Sequence, residues 1–176
     1  MIKMLTNKTN LEIIDSFNNT EYCERLIALF PKLKGVDINV VNYKESEYAI
    51  ESDFQSYDAF VYYIPNPRSI ELPIYAEILI NEEAIKEFGL TENEIFAALV
   101  HEIGHITITV ELQGKSPLPI EFEELTCDNN VCQIGLAESM SSLLRKLFHL
   151  GKYSSIQNAL MSIRITKIND YILCHS

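Results

Sequence analysis

Basic residues are scarce in this chain: 14 lysines and arginines stand against 25 aspartates and glutamates, for a net charge of -11 over 176 residues. That balance argues against a nucleic-acid groove, because tracking a phosphate backbone takes clustered cations that displace its counterions. It suits an anionic membrane surface no better. An acidic exterior would favour basic peptides, but it equally keeps a protein dissolved, so charge assigns no specificity. No stretch approaches the ~20 consecutive apolar residues that span a bilayer, and the first residues, Met1 to Lys8, lack the apolar core of a secretory signal. The expectation is therefore a cytoplasmic protein without a transmembrane segment. Paired cysteines are missing too. Cys23, Cys127, Cys132 and Cys174 are scattered, and a chain of this length with 47% hydrophobic residues can bury a core without staples, so reduced thiols are expected. Long linkers, repeats and low-complexity tracts are also absent, which predicts one domain over residues 1–176.

Histidine is rare as well, and its placement is the informative feature. Of four histidines, two fall in His101-Glu102-Ile103-Gly104-His105, an HExxH arrangement. On a helix of 3.6 residues per turn His101 and His105 stand one turn apart and can turn both imidazoles toward one ion. Glu102 lies beside them, within reach of a metal-bound water. The surroundings predict that helix. Thr91-Glu92-Asn93-Glu94 reads as a capping box, and Ile95, Phe96, Leu99, Val100, Ile103 and Ile106 follow at helical spacing. The plainer reading of a buried helix with two hydrogen-bonded histidines has to explain why a glutamate sits between them at ligand spacing.

A hydrolytic zinc site has three protein ligands and an open fourth position, so a further acidic or imidazole group should follow. Glu121-Phe122-Glu123-Glu124-Leu125-Thr126-Cys127-Asp128 offers it. A helix from about Ile120 to Ile134 places Glu124 and Asp128 one turn apart on one face. Glu124 would complete the metal site, and Asp128 would accept the second ring N–H of a ligand histidine, fixing its tautomer. Eighteen residues, marked by Gly114, Pro117 and Pro119, separate His105 from Glu124 and allow the chain to turn back. Cys127 neighbours both acids on such a helix. It reads as a small buried residue, the alternative being a thiol that touches the metal. Cys127 and Cys132 face different sides of the helix, which disfavours a joint zinc knuckle.

HEIGH followed by Glu124 and Asp128 resembles the gluzincin metallopeptidases, in which two histidines and a downstream glutamate hold zinc. Closer still is the similarity to CAAX prenyl proteases and heat-shock membrane proteases, carried by Asp58-Ala59-Phe60, Ile78-Leu79-Ile80-Asn81, Glu94 through Ile106 and Glu124 to Asp128, with a weaker echo at Arg164-Ile165. The chain departs from that family at Cys127, where alanine is usual, and lacks its His-Pro ahead of the arginine. The anti-repressor metallopeptidases of mobile elements are a more distant likeness, with asparagine usual in place of Asp128. The resemblance implies a minimal zincin-like α+β domain with a small sheet, an active-site helix and a following helical half. It implies a zinc metalloendopeptidase acting on protein or peptide substrates, with Zn2+ on His101, His105 and Glu124 and with Glu102 as general base. Tyr153, His149, Arg164 and His175 are the downstream candidates for a donor to the oxyanion. The rival reading is a non-catalytic or latent zinc-binding regulatory module derived from a peptidase fold.

Periodicity predicts helices at Thr20 to Phe30, Glu82 to Phe88, Ala137 to Leu150 and Ser155 to Asp170 beside the two already described. It predicts strands at Val36 to Tyr43, Ala59 to Ile64 and Ile74 to Asn81. Of these strands, Ile74 to Asn81 is the one expected to offer a free edge to an extended substrate.

Overall fold

Two short runs rich in valine and isoleucine form the middle of a mixed four-stranded sheet. The computed structural model describes residues 4–49, 59–64, 74–112 and 118–175; Asp58, Gly114 and Pro117 lie outside them. The strands are β1 (Leu5–Lys8), β2 (Val36–Asn42), β3 (Phe60–Tyr63) and β4 (Ile74–Ile80), in the order β1-β2-β4-β3. β1 and β4 run parallel to β2, with Leu5 beside Ile38 and Val40 beside Ile78. β3 runs antiparallel to β4, with Tyr62 opposite Ile78. β2 and β4 are buried at nearly every position, as expected of strands covered on both faces. β4 is paired with β2 along its whole length and with β3 from Glu77 to Ile80. Among the described residues the outermost strand on that side is β3, whose residues are half-buried, so the Glu77 to Ile80 part of the strand expected to offer a free edge is covered.

Seven α-helices complete an α+β fold among the described residues: α1 (Ile13–Phe17), α2 (Glu21–Leu29), α3 (Glu82–Glu87), α4 (Glu92–Leu112), α5 (Ile120–Ile134), α6 (Ala137–His149) and α7 (Ser155–His175). α4 starts where the capping box predicts. The Thr91 amide donates to Glu94 Oε2 at 2.7 Å, and the Glu94 amide donates to Thr91 Oγ1 at 3.3 Å. Glu94 is itself buried, and its carboxylate also receives Lys146 Nζ at 2.7 Å and the Ser142 hydroxyl at 2.6 Å, tying α6 to the start of α4.

By length and composition α4 could cross a membrane, which the absence of an unbroken apolar run had not anticipated; 67% of its apolar window is buried inside the fold. It is the central core helix, with Leu99, Val100, Ile103 and Ile106 fully buried. α5 crosses it at Gly104, where a Cβ would stand 3.0 Å from Cys127 Sγ and 3.3 Å from Cys127 Cα. Glycine is what lets the two helices approach this closely. α5 ends at Gly135, whose φ of 100° lies in the left-handed region, with the Leu136 amide donating back to the Val131 carbonyl.

Candidate metal centre

The histidines of α4 and the acids of α5 meet because the Gly104 crossing brings one face of each helix into contact. His101, His105 and Glu124 each turn a donor atom toward the same point, all within 4.8 Å of one another. The two Nε2 atoms are 3.1 Å apart. Glu124 bridges them, with Oε2 at 3.4 Å from His101 Nε2 and Oε1 at 3.4 Å from His105 Nε2. Ligands about 2.0–2.1 Å from a tetrahedral ion lie about 3.3–3.4 Å from each other, so the spacing fits a small divalent cation. The group could hold a metal ion.

Both imidazoles are oriented from behind. His101 Nδ1 lies 2.9 Å from Asp128 Oδ1, and His105 Nδ1 lies 2.7 Å from Glu123 Oε1. A proton on each Nδ1, donated to these carboxylates, leaves both Nε2 lone pairs facing the common point, the tautomer a metal requires. Asp128 is held in turn by Arg164 of α7, whose Nε and Nη2 donate to its two oxygens at 2.7 and 2.8 Å. Arg164 Nη1 also reaches Glu124 Oε2 at 2.5 Å. One guanidinium thus fixes both the supporting acid and the ligating one.

The remaining contacts come from β3. The Tyr62 amide donates to Glu102 Oε2 at 3.1 Å, and the Tyr62 ring stacks on His105 with centroids 4.9 Å apart and planes within 5°. The edge strand therefore anchors the carboxylate between the histidines and braces one imidazole.

The surrounding acids also favour the doubly protonated form of each ring. Burial alone would lower the pKa of His105, but hydrogen bonds to Cys127, Glu123 and Glu124 outweigh it and raise the value. For His101, burial and the nearby Arg164 oppose protonation, and hydrogen bonds to Asp128 and Glu124 again prevail. Burial works against ionised Glu124 and Asp128 as well, yet their histidine and arginine partners hold both well below the usual carboxylate range. Glu102, Glu123, Glu124 and Asp128 gather around Arg164 and the two imidazoles, and this surplus of acidic groups is what raises the imidazole pKa values.

A cleft of about 410 Å3 opens over this cluster, lined by His101, Glu102, His105, Glu123, Glu124 and Arg164 on its polar side. Of the residues considered as oxyanion donors, Tyr153 and Arg164 line the cleft. His149 is exposed at the end of α6 beside Phe148, and His175 Nδ1 bonds the Tyr171 carbonyl near the end of α7. Cys127 is fully buried under Gly104, and burial pushes its pKa up against the opposing influence of His105. Cys132 is buried elsewhere on α5, pushed up to about 11 mainly by desolvation.

Glu123, Tyr62 and Arg164 carry parts of the site that spacing did not assign. Glu123 lay within the acidic run that supplied Glu124. Arg164 had a signal in the arginine-isoleucine echo. Tyr62 had none, since its contribution is a backbone amide and a ring face. Compared with known proteins, the chain matches no family model, no curated protein sequence and no solved structure.

Proposed function

We propose that this chain is a zinc-dependent metallopeptidase of gluzincin type, with protein or peptide substrates. The observation that carries the reading is the convergence of His101 Nε2, His105 Nε2 and the Glu124 carboxylate beside a non-ligating Glu102. Two imidazoles and one carboxylate suit zinc, and HExxH with the downstream Glu124 and Asp128 resembles the gluzincin pattern. When bound, zinc would acidify a water toward neutrality and polarise the scissile carbonyl.

The chain's own residues do the rest. Asp128 and Glu123 keep the two imidazoles in the ligating tautomer, and Arg164 holds Asp128 and Glu124 in place. Glu102, with Oε2 anchored on the Tyr62 amide, takes the water's proton on Oε1 and later returns it to the leaving amine. Arg164 lines the cleft and supplies a cation toward negative charge growing on the carbonyl oxygen.

Replacing Glu102 with glutamine tests the reading. The variant should bind stoichiometric zinc by elemental analysis and cleave a casein or mixed-peptide substrate about 10²–10⁴-fold more slowly than the parent. Unchanged turnover in Glu102→Gln would refute the role given to this carboxylate.

A further inference from the structure

We infer that a second cavity, between α5 and α7, binds a small organic acid whose aromatic or branched aliphatic body ends in a carboxylate. Its walls are Leu125, Asp128 and Cys132 on one face of α5 and Lys167, Ile168 and Tyr171 on α7. None of these six lines the cleft over the metal cluster, so the two cavities are separate sites. The volume, about 240 Å3, falls below the ~300–1,000 Å3 of sites for drug-sized ligands. A single ring with a short tail fits it better than a peptide segment or a nucleotide.

The body of the cavity is apolar and fixed in shape. Leu125, Ile168 and the Tyr171 ring face it; Ile168 is buried, and Tyr171 stacks on His175 with ring centroids 4.0 Å apart. Cys132 is the small residue that keeps the gap open on α5, where a leucine or phenylalanine would occupy the space. Its thiol, pushed up to about 11, stays neutral near pH 7 and is a poor nucleophile, which favours reversible over covalent binding.

The two charges at the cavity differ in what they have left to offer. Both oxygens of Asp128 already accept from Arg164, and Oδ1 also faces His101 Nδ1 at 2.9 Å, so little remains for a ligand cation. Lys167 is exposed and makes no ion pair among the described residues. In a chain with 25 acidic residues against 14 basic ones, an unpaired lysine at an apolar cavity selects for a negative ligand. A carboxylate at Lys167 gains a charge-assisted hydrogen bond, and the ring behind it gains by burial. An amine on the same ring meets repulsion instead.

Occupancy is read without metal or turnover, so the test stands or falls apart from the hydrolytic reading. Phenylacetate, phenylacetamide and phenethylamine carry the same ring on a negative, a neutral and a positive end. Each is titrated into the isotope-labelled full chain, with amide chemical shifts reporting both place and affinity. Phenylacetate should move the amides of Leu125, Asn129, Lys167 and Tyr171 saturably and bind about 5-fold more tightly than phenylacetamide, with phenethylamine weakest. Acetate, which has the charge but no ring, should bind at least about 10-fold more weakly than phenylacetate. Lys167→Gln, at an exposed position, should bring phenylacetate level with phenylacetamide and leave phenylacetamide unchanged. Equal affinity for the three ring compounds overturns the inference, as does a preference for phenethylamine. Acetate binding as tightly as phenylacetate would mean a surface lysine attracting any anion, and it overturns the inference too. Absence of saturable shifts at these residues has the same consequence.

Discussion

Two faces of α4 share one backbone and carry opposite economies. Leu99, Ile103 and Ile106 are fully buried among apolar neighbours, so each contributes to stability through area removed from water. His101 and His105 are nearly as buried, but among Glu123, Glu124, Asp128 and Arg164, where desolvation is offset only by mutual pairing. The first face would tolerate other apolar residues of similar volume. The second is a set in which each member satisfies another, so its removal exposes a partner rather than merely losing a contact. A fold that needed only stability would gain by filling this space with leucine. That it holds two imidazoles and four acidic side chains instead is the argument for chemistry there.

The difference can be broken from either side. The largest expected loss is on the polar face: Asp128→Ala strips half-buried Arg164 of its bidentate partner and buried His101 of its acceptor. Urea denaturation should show a loss of about 3–5 kcal/mol. If the loss is under about 1 kcal/mol, the cluster is not the interdependent set described.

On the apolar face, Leu99→Ala should cost about 2–5 kcal/mol by the same measurement, since Leu99 is fully buried. Any metal bound by that variant should remain stoichiometric in elemental analysis, because Leu99 is not among the cleft-lining residues. The pair separates fold from site.

Between the faces lies Gly104. Alanine there gains up to about 1 kcal/mol of helix propensity but sets a Cβ against Cys127, including its backbone Cα. Overpacking of about 1–3 kcal/mol should win, because a neighbouring helix backbone has to shift. Combining Gly104→Ala with Cys127→Ala, which removes the 3.0 Å sulfur contact, should recover part of the loss in a double-mutant cycle.

The smallest effect belongs to the start of α4. Burial would raise the pKa of Glu94, but Lys146, Ser142 and the Thr91 amide outweigh it and hold the value below the ordinary carboxylate range. Lys146→Met should destabilise by about 1 kcal/mol at neutral pH. A lowered folded pKa means stabilisation that is present above the unfolded value, about 4.3, and lost as pH falls through the folded one. The gap between parent and variant should therefore close in acid; a gap that widens there would contradict the pairing.

Much of the helical half was legible because strong periodicity and explicit boundary signals agree. Thr91 with Glu94 and the apolar rows of α4, α5 and α6 mark a start and the buried faces without tertiary help. Two short elements, β1 and α1, were not legible. β1 is four residues long, and its state depends on pairing with β2 and on Asn18, whose side chain binds the Met4 and Leu5 amides at 3.0 and 2.9 Å. α1 has five residues, too few to display a helical period, and α7 runs five residues past the expected Asp170 because nothing after it breaks a helix. Position in the sheet was equally hidden. An apolar run such as Ile74–Ile80 reads as a buried strand but does not say which neighbour takes each edge.

By itself the sequence determined which side chains could share a helix face: His101 with His105, and Glu124 with Asp128, because a fixed 3.6-residue period converts spacing directly into geometry. Only the tertiary structure decided that those faces meet across Gly104, that Glu123 and Asp128 take different imidazoles, and that Arg164 and the Tyr62 amide close the cluster from α7 and β3. Contacts between distant segments depend on how whole elements pack, and packing is set by the combined shape and burial of many side chains rather than by any local period.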